Sequence, residues 1–311
     1  MTDFTKILSI ILLILENKYR YMKMKPIFFT AIAFSLLLTS CSKTDNSGTG
    51  GGTIAEKSLT NVSYGTDPLQ KMDIFLPANR SVTTTKVMIL IHGGGWTIGD
   101  KSDFTVYMDT LRKRIPDYAI FNLNYRLASF PANNPFPTQE LDVKAAVDFI
   151  YGNRSSYLIS DKFVLLGASA GGHLSLLQAY KYHSPANIKA VVDFFGPTDM
   201  IDMYNNPGAY SPVTLALLLS GTPTTNLTMY QQSSPMFFAN ASSCPTIILQ
   251  GGLDPLVNPI TQSLALKNKL TTAGVVNQYV FYPLGGHGDW DAPTTTDAFN
   301  KIQVFLAANV Q

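Results

Sequence analysis

Residues 162–174 read KFVLLGASAGGHL. An apolar run of strand length closes on Gly167, and GGHLSLLQAYKYHS (171–184) follows at once with apolar residues three and four apart. A period of 3.6 that begins where an apolar run ends is the pattern of a buried β-strand feeding a helix. Ser169 falls at the junction. A serine there is either a nucleophile on a strained turn or an ordinary helix-start residue in a glycine-rich loop. The G-x-S-x-G string alone does not choose between them, so the choice rests on context and partners.

The same alternation runs through the chain. KVMILIHGGG (86–95), YAIFNLNYR (118–126), AVVDFFG (190–196), PTIILQGG (245–252) and QYVFYPLGG (278–286) are apolar runs that end in glycine or polar residues. Between them, ELDVKAAVDFIYGNR (140–154) and PITQSLALKNKLTTAG (259–274) carry helical spacing. Strands alternating with helices predict an α/β fold, a doubly wound and mostly parallel sheet with helices on both faces. Ligands on such sheets bind beyond the carboxyl ends of the strands, where Ser169 lies.

A serine hydroxyl needs a base to take its proton, and the base needs an acid to orient it. The chain holds four histidines, so the base is sought by elimination. His92 precedes three glycines whose backbone is the asset. His173 stands four residues past Ser169 on the same helix, so its ring projects away from the reacting oxygen. His183 falls at the far end of that helix. His287, in PLGGHGDW, occupies a loop after a late strand, at the right face. For the acid, Asp254 in QGGLDPLV follows the strand PTIIL, while Asp193, Asp199 and Asp202 compete from in and after AVVDFFG. An aspartate before proline is also a common turn residue. The order Ser169, Asp254, His287 favours the catalytic reading, because it is the order of the α/β-hydrolases.

Developing negative charge on a substrate oxygen needs donors, and IHGGGW (91–96) supplies flexible backbone amides. Gly94 and Gly95 are expected to join the amide of Ala170, at the start of the next helix, whose dipole also favours an anion. Trp96 and Tyr125 are read mainly as buried packing beside the cleft.

Composition narrows the class. Apolar residues make up 46% and charged residues 14%, so the body is globular rather than disordered. There is no basic stripe and no G-x-x-x-x-G-K-[ST] phosphate cradle, so neither nucleic acid nor nucleotide is an expected partner. With two cysteines, Cys41 and Cys244, the chain has no disulfide framework, and Cys244 reads as a small core residue.

The N-terminus reads differently. MKMKPIFFTAIAFSLLLTSC (22–41) has lysines, then an apolar stretch too short to span a bilayer comfortably, then LTSC. Leu38 to Cys41 resemble the lipobox of bacterial lipoproteins, which implies cleavage before Cys41 and lipidation of its sulfur. The expectation is an exported protein held to the bacterial cell envelope by that anchor. Residues 1–21 are read as a leader or as sequence ahead of a start at Met22 or Met24. Residues 42–58 are a polar, glycine-rich tether.

The motifs HGGGW, GDKS, NYRL, GASAGGHL, GPTDM, GGLDPLV and GGHG stand in the order seen in the α/β-hydrolases related to hormone-sensitive lipase. They look closest to the BD-FAE branch, bifunctional feruloyl and acetylxylan esterases, as does YGTDPLQKMDIFLP (64–77). The resemblance implies a hydrolase domain over 59–311, a triad of Ser169, Asp254 and His287, and an oxyanion site at Gly94, Gly95 and Ala170. It implies no metal or organic cofactor. Lipase-like relatives often carry aspartate before the nucleophile and a sizeable N-terminal cap; here that position is Ala168 and the tether provides no cap. Residues 199–243 are expected to cover the site. A shallow acyl pocket is expected beside Gly94 and Gly95. The leading reading is a serine esterase for short-acyl esters of carbohydrate or plant-phenolic alcohols; an amide hydrolase with the same triad and a non-catalytic binding protein are the alternatives.

Overall fold

The computed structural model describes residues 53–311 apart from 132, 183 and 184. The expected leader, signal segment, lipidated Cys41, most of the tether, and His183 lie outside the described residues.

Eight strands form one sheet: β1 (Lys57–Ser63), β2 (Lys71–Leu76), β3 (Lys86–Ile91), β4 (Tyr118–Leu123), β5 (Lys162–Ala168), β6 (Asn187–Phe194), β7 (Thr246–Gly251) and β8 (Asn277–Tyr282). Their order is β1-β2-β4-β3-β5-β6-β7-β8. From β4 to β8 every pairing is parallel, and β1 and β2 add antiparallel pairings at one edge. Five longer helices flank the sheet: α1 (Thr105–Arg114), α2 (Thr138–Gly152), α3 (Ala170–Lys181), α4 (Ala265–Thr272) and α5 (Ala292–Asn309). This is the α/β-hydrolase fold, as the alternation of patterns predicts.

Side chains alternate across a strand, so a run that is apolar at every position must be covered on both faces. In β3, Val87, Ile89 and Ile91 pack with Phe163 and Leu165 of β5 against α2 and α3, through Val143, Val147, Leu174 and Leu177. Met88 and Leu90 point the other way and join Val164 and Leu166 under Leu111 of α1 and Ile302, Phe305 and Leu306 of α5. Each fully buried aliphatic side chain contributes about 1.5–3 kcal/mol of transfer free energy. A third cluster seats Val191 and Ile248 beneath Leu266 and Leu270 of α4, with Cys244 packed at its margin.

The domain starts earlier than the expected boundary at 58/59. Lys57 and Ser58 already pair with Leu76 and Phe75. Ahead of them, Ile54 accepts a hydrogen bond from the Asn79 amide and Ala55 accepts one from Arg80. The polar side chains of Lys57 and Ser58 are those of an exposed edge strand, which needs backbone partners and little apolar side-chain area.

Candidate active site

The elbow at Ser169 is built by strand and helix meeting without a loop. β5 ends at Ala168 and α3 begins at Ala170, so Ser169 turns the chain alone, with φ 55° and ψ −120°. For a residue with a Cβ this conformation costs about 1–3 kcal/mol and persists only where surrounding structure enforces it. The Ser169 amide donates to the Phe194 carbonyl at 2.8 Å, and the Ser169 carbonyl accepts from the His173 amide at 3.0 Å. Close packing does the rest. A Cβ on Gly171 would stand 1.9 Å from the Ile91 carbonyl oxygen, so only glycine lets α3 start this close to β3.

The structure brings Ser169, His287 and Asp254 together. His287 Nε2 lies 2.8 Å from Ser169 Oγ, and His287 Nδ1 lies 2.7 Å from Asp254 Oδ2. Asp254 follows β7 and His287 follows β8, so both loops leave the same sheet edge as the elbow. Burial acts to raise the Asp254 carboxyl, but the hydrogen bond and charge of His287 and the Val257 and Leu256 amides outweigh it and hold the group below its ordinary value. An ionised Asp254 accepts from Nδ1–H, which leaves Nε2 bare and facing the serine hydroxyl. That tautomer can take the Ser169 proton.

Gln250 was not foreseen. From the end of β7 its Nε2 donates to Asp254 Oδ2 at 3.1 Å, and its Oε1 accepts from Ser263 Oγ at 2.6 Å. It donates to the same carboxylate oxygen that His287 engages. The signal was a lone amide at the end of the apolar run PTIIL, where a buried polar side chain needs a partner. Gln250→Met removes that donor at nearly constant volume. A hydrogen bond to a charged group is worth about 1.5–3 kcal/mol, so kcat should fall about tenfold with KM little changed. Unaltered kcat in steady-state assays would show that Asp254 is held without Gln250.

The HGGGW segment passes beside the elbow. Gly94, Gly95 and Trp96 take φ of 99°, 55° and 63° in succession, and the first would force a side chain into the Ile98 carbonyl at 2.1 Å. Among the described residues, no protein acceptor is found for the amides of Gly94, Gly95 or Ala170. The Tyr125 hydroxyl props the loop from below, donating to the His92 carbonyl at 3.0 Å and lying 3.2 Å from that of Gly93. His92 stacks on Tyr125 with ring centroids 4.2 Å apart, and its Nδ1 donates to the Gly93 carbonyl at 2.8 Å. Burial lowers its pKa. It is a neutral brace for the loop, away from the reacting serine.

His173 also lies off the reacting oxygen, and it has a task the sequence did not reveal. Its Nε2 donates to the Ser233 carbonyl at 2.7 Å, so its Nδ1 accepts from Trp96 Nε1 at 3.1 Å. Complete burial pushes its pKa down to about 4. A neutral imidazole thereby joins the HGGGW loop, α3 and the 199–243 segment. That segment also sets Tyr210 against Gly95, the ring 3.3 Å from where a Cβ would stand. It thus flanks the site on the side of the glycine loop.

The competing carboxylates have other work. Asp199 caps the helical turn Met200–Asn205, accepting from the Ile201 and Asp202 amides. Asp202 accepts from Thr261 Oγ1 at 2.6 Å and Gln262 Nε2 at 2.7 Å. Asp193 is fully buried in β6 against Gly172 and Gly196; its Oδ1 accepts from the Gly196 amide at 2.9 Å, and burial pushes the carboxyl up to about 8. Among the described residues no group of three or more His, Cys, Asp or Glu side chains could hold a metal ion.

Tyr210 and Ile98 stand against Gly95 and Gly94. A cavity of about 90 Å³ lies beside Ala168, Phe195 and Gly288, with Phe104, Phe194 and Phe299 among its walls.

Comparison with known proteins bears on this geometry. The BD-FAE family model matches residues 72–270. The chain belongs to the BD-FAE family. Among curated relatives of this BD-FAE member, Esterase LipC of Mycobacterium tuberculosis is 24% identical over 261 residues, covering 79% of this chain and 64% of that protein. Probable carboxylic ester hydrolase LipM of the same organism is 28% identical, covering 80% of this chain and 58% of that protein. The chain therefore spans less than two thirds of the length of these relatives. Of solved structures, a truncated carbohydrate esterase from gut microbiota superposes with a TM-score of 0.69 at 25% identity, over 81% of this chain and 95% of that one.

Proposed function

We propose that this BD-FAE member is a carboxylic ester hydrolase that forms an acyl-enzyme on Ser169. The observation that carries the reading is the line Ser169–His287–Asp254, hydrogen-bonded beside the unpaired amides of Gly94, Gly95 and Ala170. Ser169 Oγ attacks the ester carbonyl carbon as its proton passes to His287 Nε2. The carbonyl oxygen gains charge facing the three amides, each such donor being worth about 3 kcal/mol in the transition state. The intermediate collapses as His287 returns the proton to the departing alcohol. Water, activated in turn by His287, then releases the acid.

The substrates proposed are short-acyl, acetyl-type esters of carbohydrate or plant-phenolic alcohols. Family membership and a carbohydrate esterase among the similar structures support that class. The test is a substrate panel. Aryl acetate and acetylated xylan should be cleaved much faster than aryl palmitate, and esters much faster than the matching anilides. Faster turnover of anilides would move the protein to amide hydrolysis, and a preference for acyl chains of about ten or more carbons would move it toward lipases.

A further inference from the structure

The cavity beside Ala168, Phe195 and Gly288 has no part in the chemistry described above. Its position is the first clue. Ala168 directly precedes Ser169 and Gly288 directly follows His287, so two of its lining residues are chain neighbours of the reacting pair. Phe195 lies against the second of them, its ring centroid 4.5 Å from that of His287. The remaining walls come from the sheet and the helices beyond it: Phe194 of β6, Phe299 of α5, and Phe104 just ahead of α1.

Its size and chemistry restrict the occupant. An apolar cavity of about 150 Å³ accepts a benzene ring; at about 90 Å³ this one is too small for a ring and large enough for a short alkyl chain. A sugar or other polar alcohol has neither the size nor the polarity to enter a space walled by phenylalanines. The alcohol must also leave before water attacks, whereas the acyl group stays covalently on Ser169 through both steps. The part of the ester suited to a small apolar cavity is therefore the acyl tail.

Resting on the ester hydrolase reading, we propose that this cavity is the acyl subsite, that it seats unbranched chains up to butyryl, and that Ala168 sets its depth. Ala168 packs with the Phe194 and Trp290 layer, so any larger side chain at this position fills the space that an alkyl tail would occupy. An aspartate there would put a carboxylate into the same apolar space. The small residue before the nucleophile is thus what leaves the cavity open.

The experiment measures kcat/KM of the full chain on p-nitrophenyl acetate, propionate, butyrate, hexanoate and benzoate. Burying a methylene favours binding about fourfold, so the wild-type values should climb about fourfold per carbon to butyrate and drop at hexanoate and benzoate. Ala168→Leu should lower the butyrate-to-acetate ratio at least about tenfold. Phe299→Leu, which trims the wall contributed by α5, should move the optimum toward hexanoate; it keeps the idea open to refutation even where Ala168→Leu fails to fold. A chain-length profile that is the same in wild type and Phe299→Leu, or an acetate optimum in wild type, overturns the subsite while the ester hydrolase reading stands. No hydrolysis of any ester, together with no labelling of Ser169 by a fluorophosphonate, overturns both.

Discussion

Ser169→Ala should abolish ester hydrolysis by at least about a thousandfold, toward the roughly millionfold loss that follows removal of a serine protease nucleophile. The change deletes one oxygen, and alanine meets the same backbone demand at φ 55° that serine meets now. The backbone bonds that hold the elbow, from the Ser169 amide to Phe194 and from the His173 amide to Ser169, do not involve the side chain. The variant should therefore keep its melting temperature and circular dichroism while it loses turnover and fluorophosphonate labelling. Hydrolysis retained in a variant of native stability would sink the assignment of the nucleophile.

Asp254→Asn should cost about ten thousandfold in kcat, severe but less complete than loss of the serine. The reason lies in which oxygen is committed. Asp254 Oδ1 accepts from the Leu256 amide at 2.8 Å and the Val257 amide at 2.9 Å, so it must remain an oxygen. An asparagine NH₂ then falls where Oδ2 stood, pointing donors at His287 Nδ1 and Gln250 Nε2. The imidazole escapes the clash by moving its proton to Nε2, and a protonated Nε2 cannot take the proton of Ser169. Asp199→Asn offers the control, because asparagine caps a helix as well as aspartate and Asp199 bonds only amides. Kinetics in which Asp199→Asn is the more damaging change would mean that the wrong carboxylate was chosen.

The strands that carry the site were legible because they are buried on both faces, which leaves an uninterrupted apolar run in the sequence. β1 was not. Its residues are mostly exposed, and what makes it a strand is backbone pairing with β2, the next strand in the chain, which leaves no apolar period in β1 itself. The meeting of Ser169, Asp254 and His287 was legible by elimination, since loops after parallel strands converge on one edge and few histidines compete. The second layer of the site was hidden for the opposite reason. Gln250 meets Ser263, and His173 meets Trp96 and Ser233, through single hydrogen bonds between remote segments. The contact of Tyr210 with the glycine loop was hidden for the same reason, since Tyr210 stands 115 residues from Gly95 in sequence.

The buried carboxyl of Asp193 changes the proton inventory of folding. Unfolded, it ionises near its ordinary value of 3.8; folded, it keeps its proton up to about 8. Between those limits the chain takes up a proton as it folds, and the equilibrium constant for folding carries that proton as a reactant. A raised folded-state value means that the contribution is intact in acid and is lost progressively as pH climbs toward 8. His173, neutral when folded and depressed to about 4, works in the other sense, releasing a proton on folding below its unfolded value of 6.5. From about pH 4 to 6.5 the two exchanges offset one another. Above that range, of these two groups, only Asp193 still draws a proton, so its share of the stability beneath the elbow is lost as pH rises toward 8.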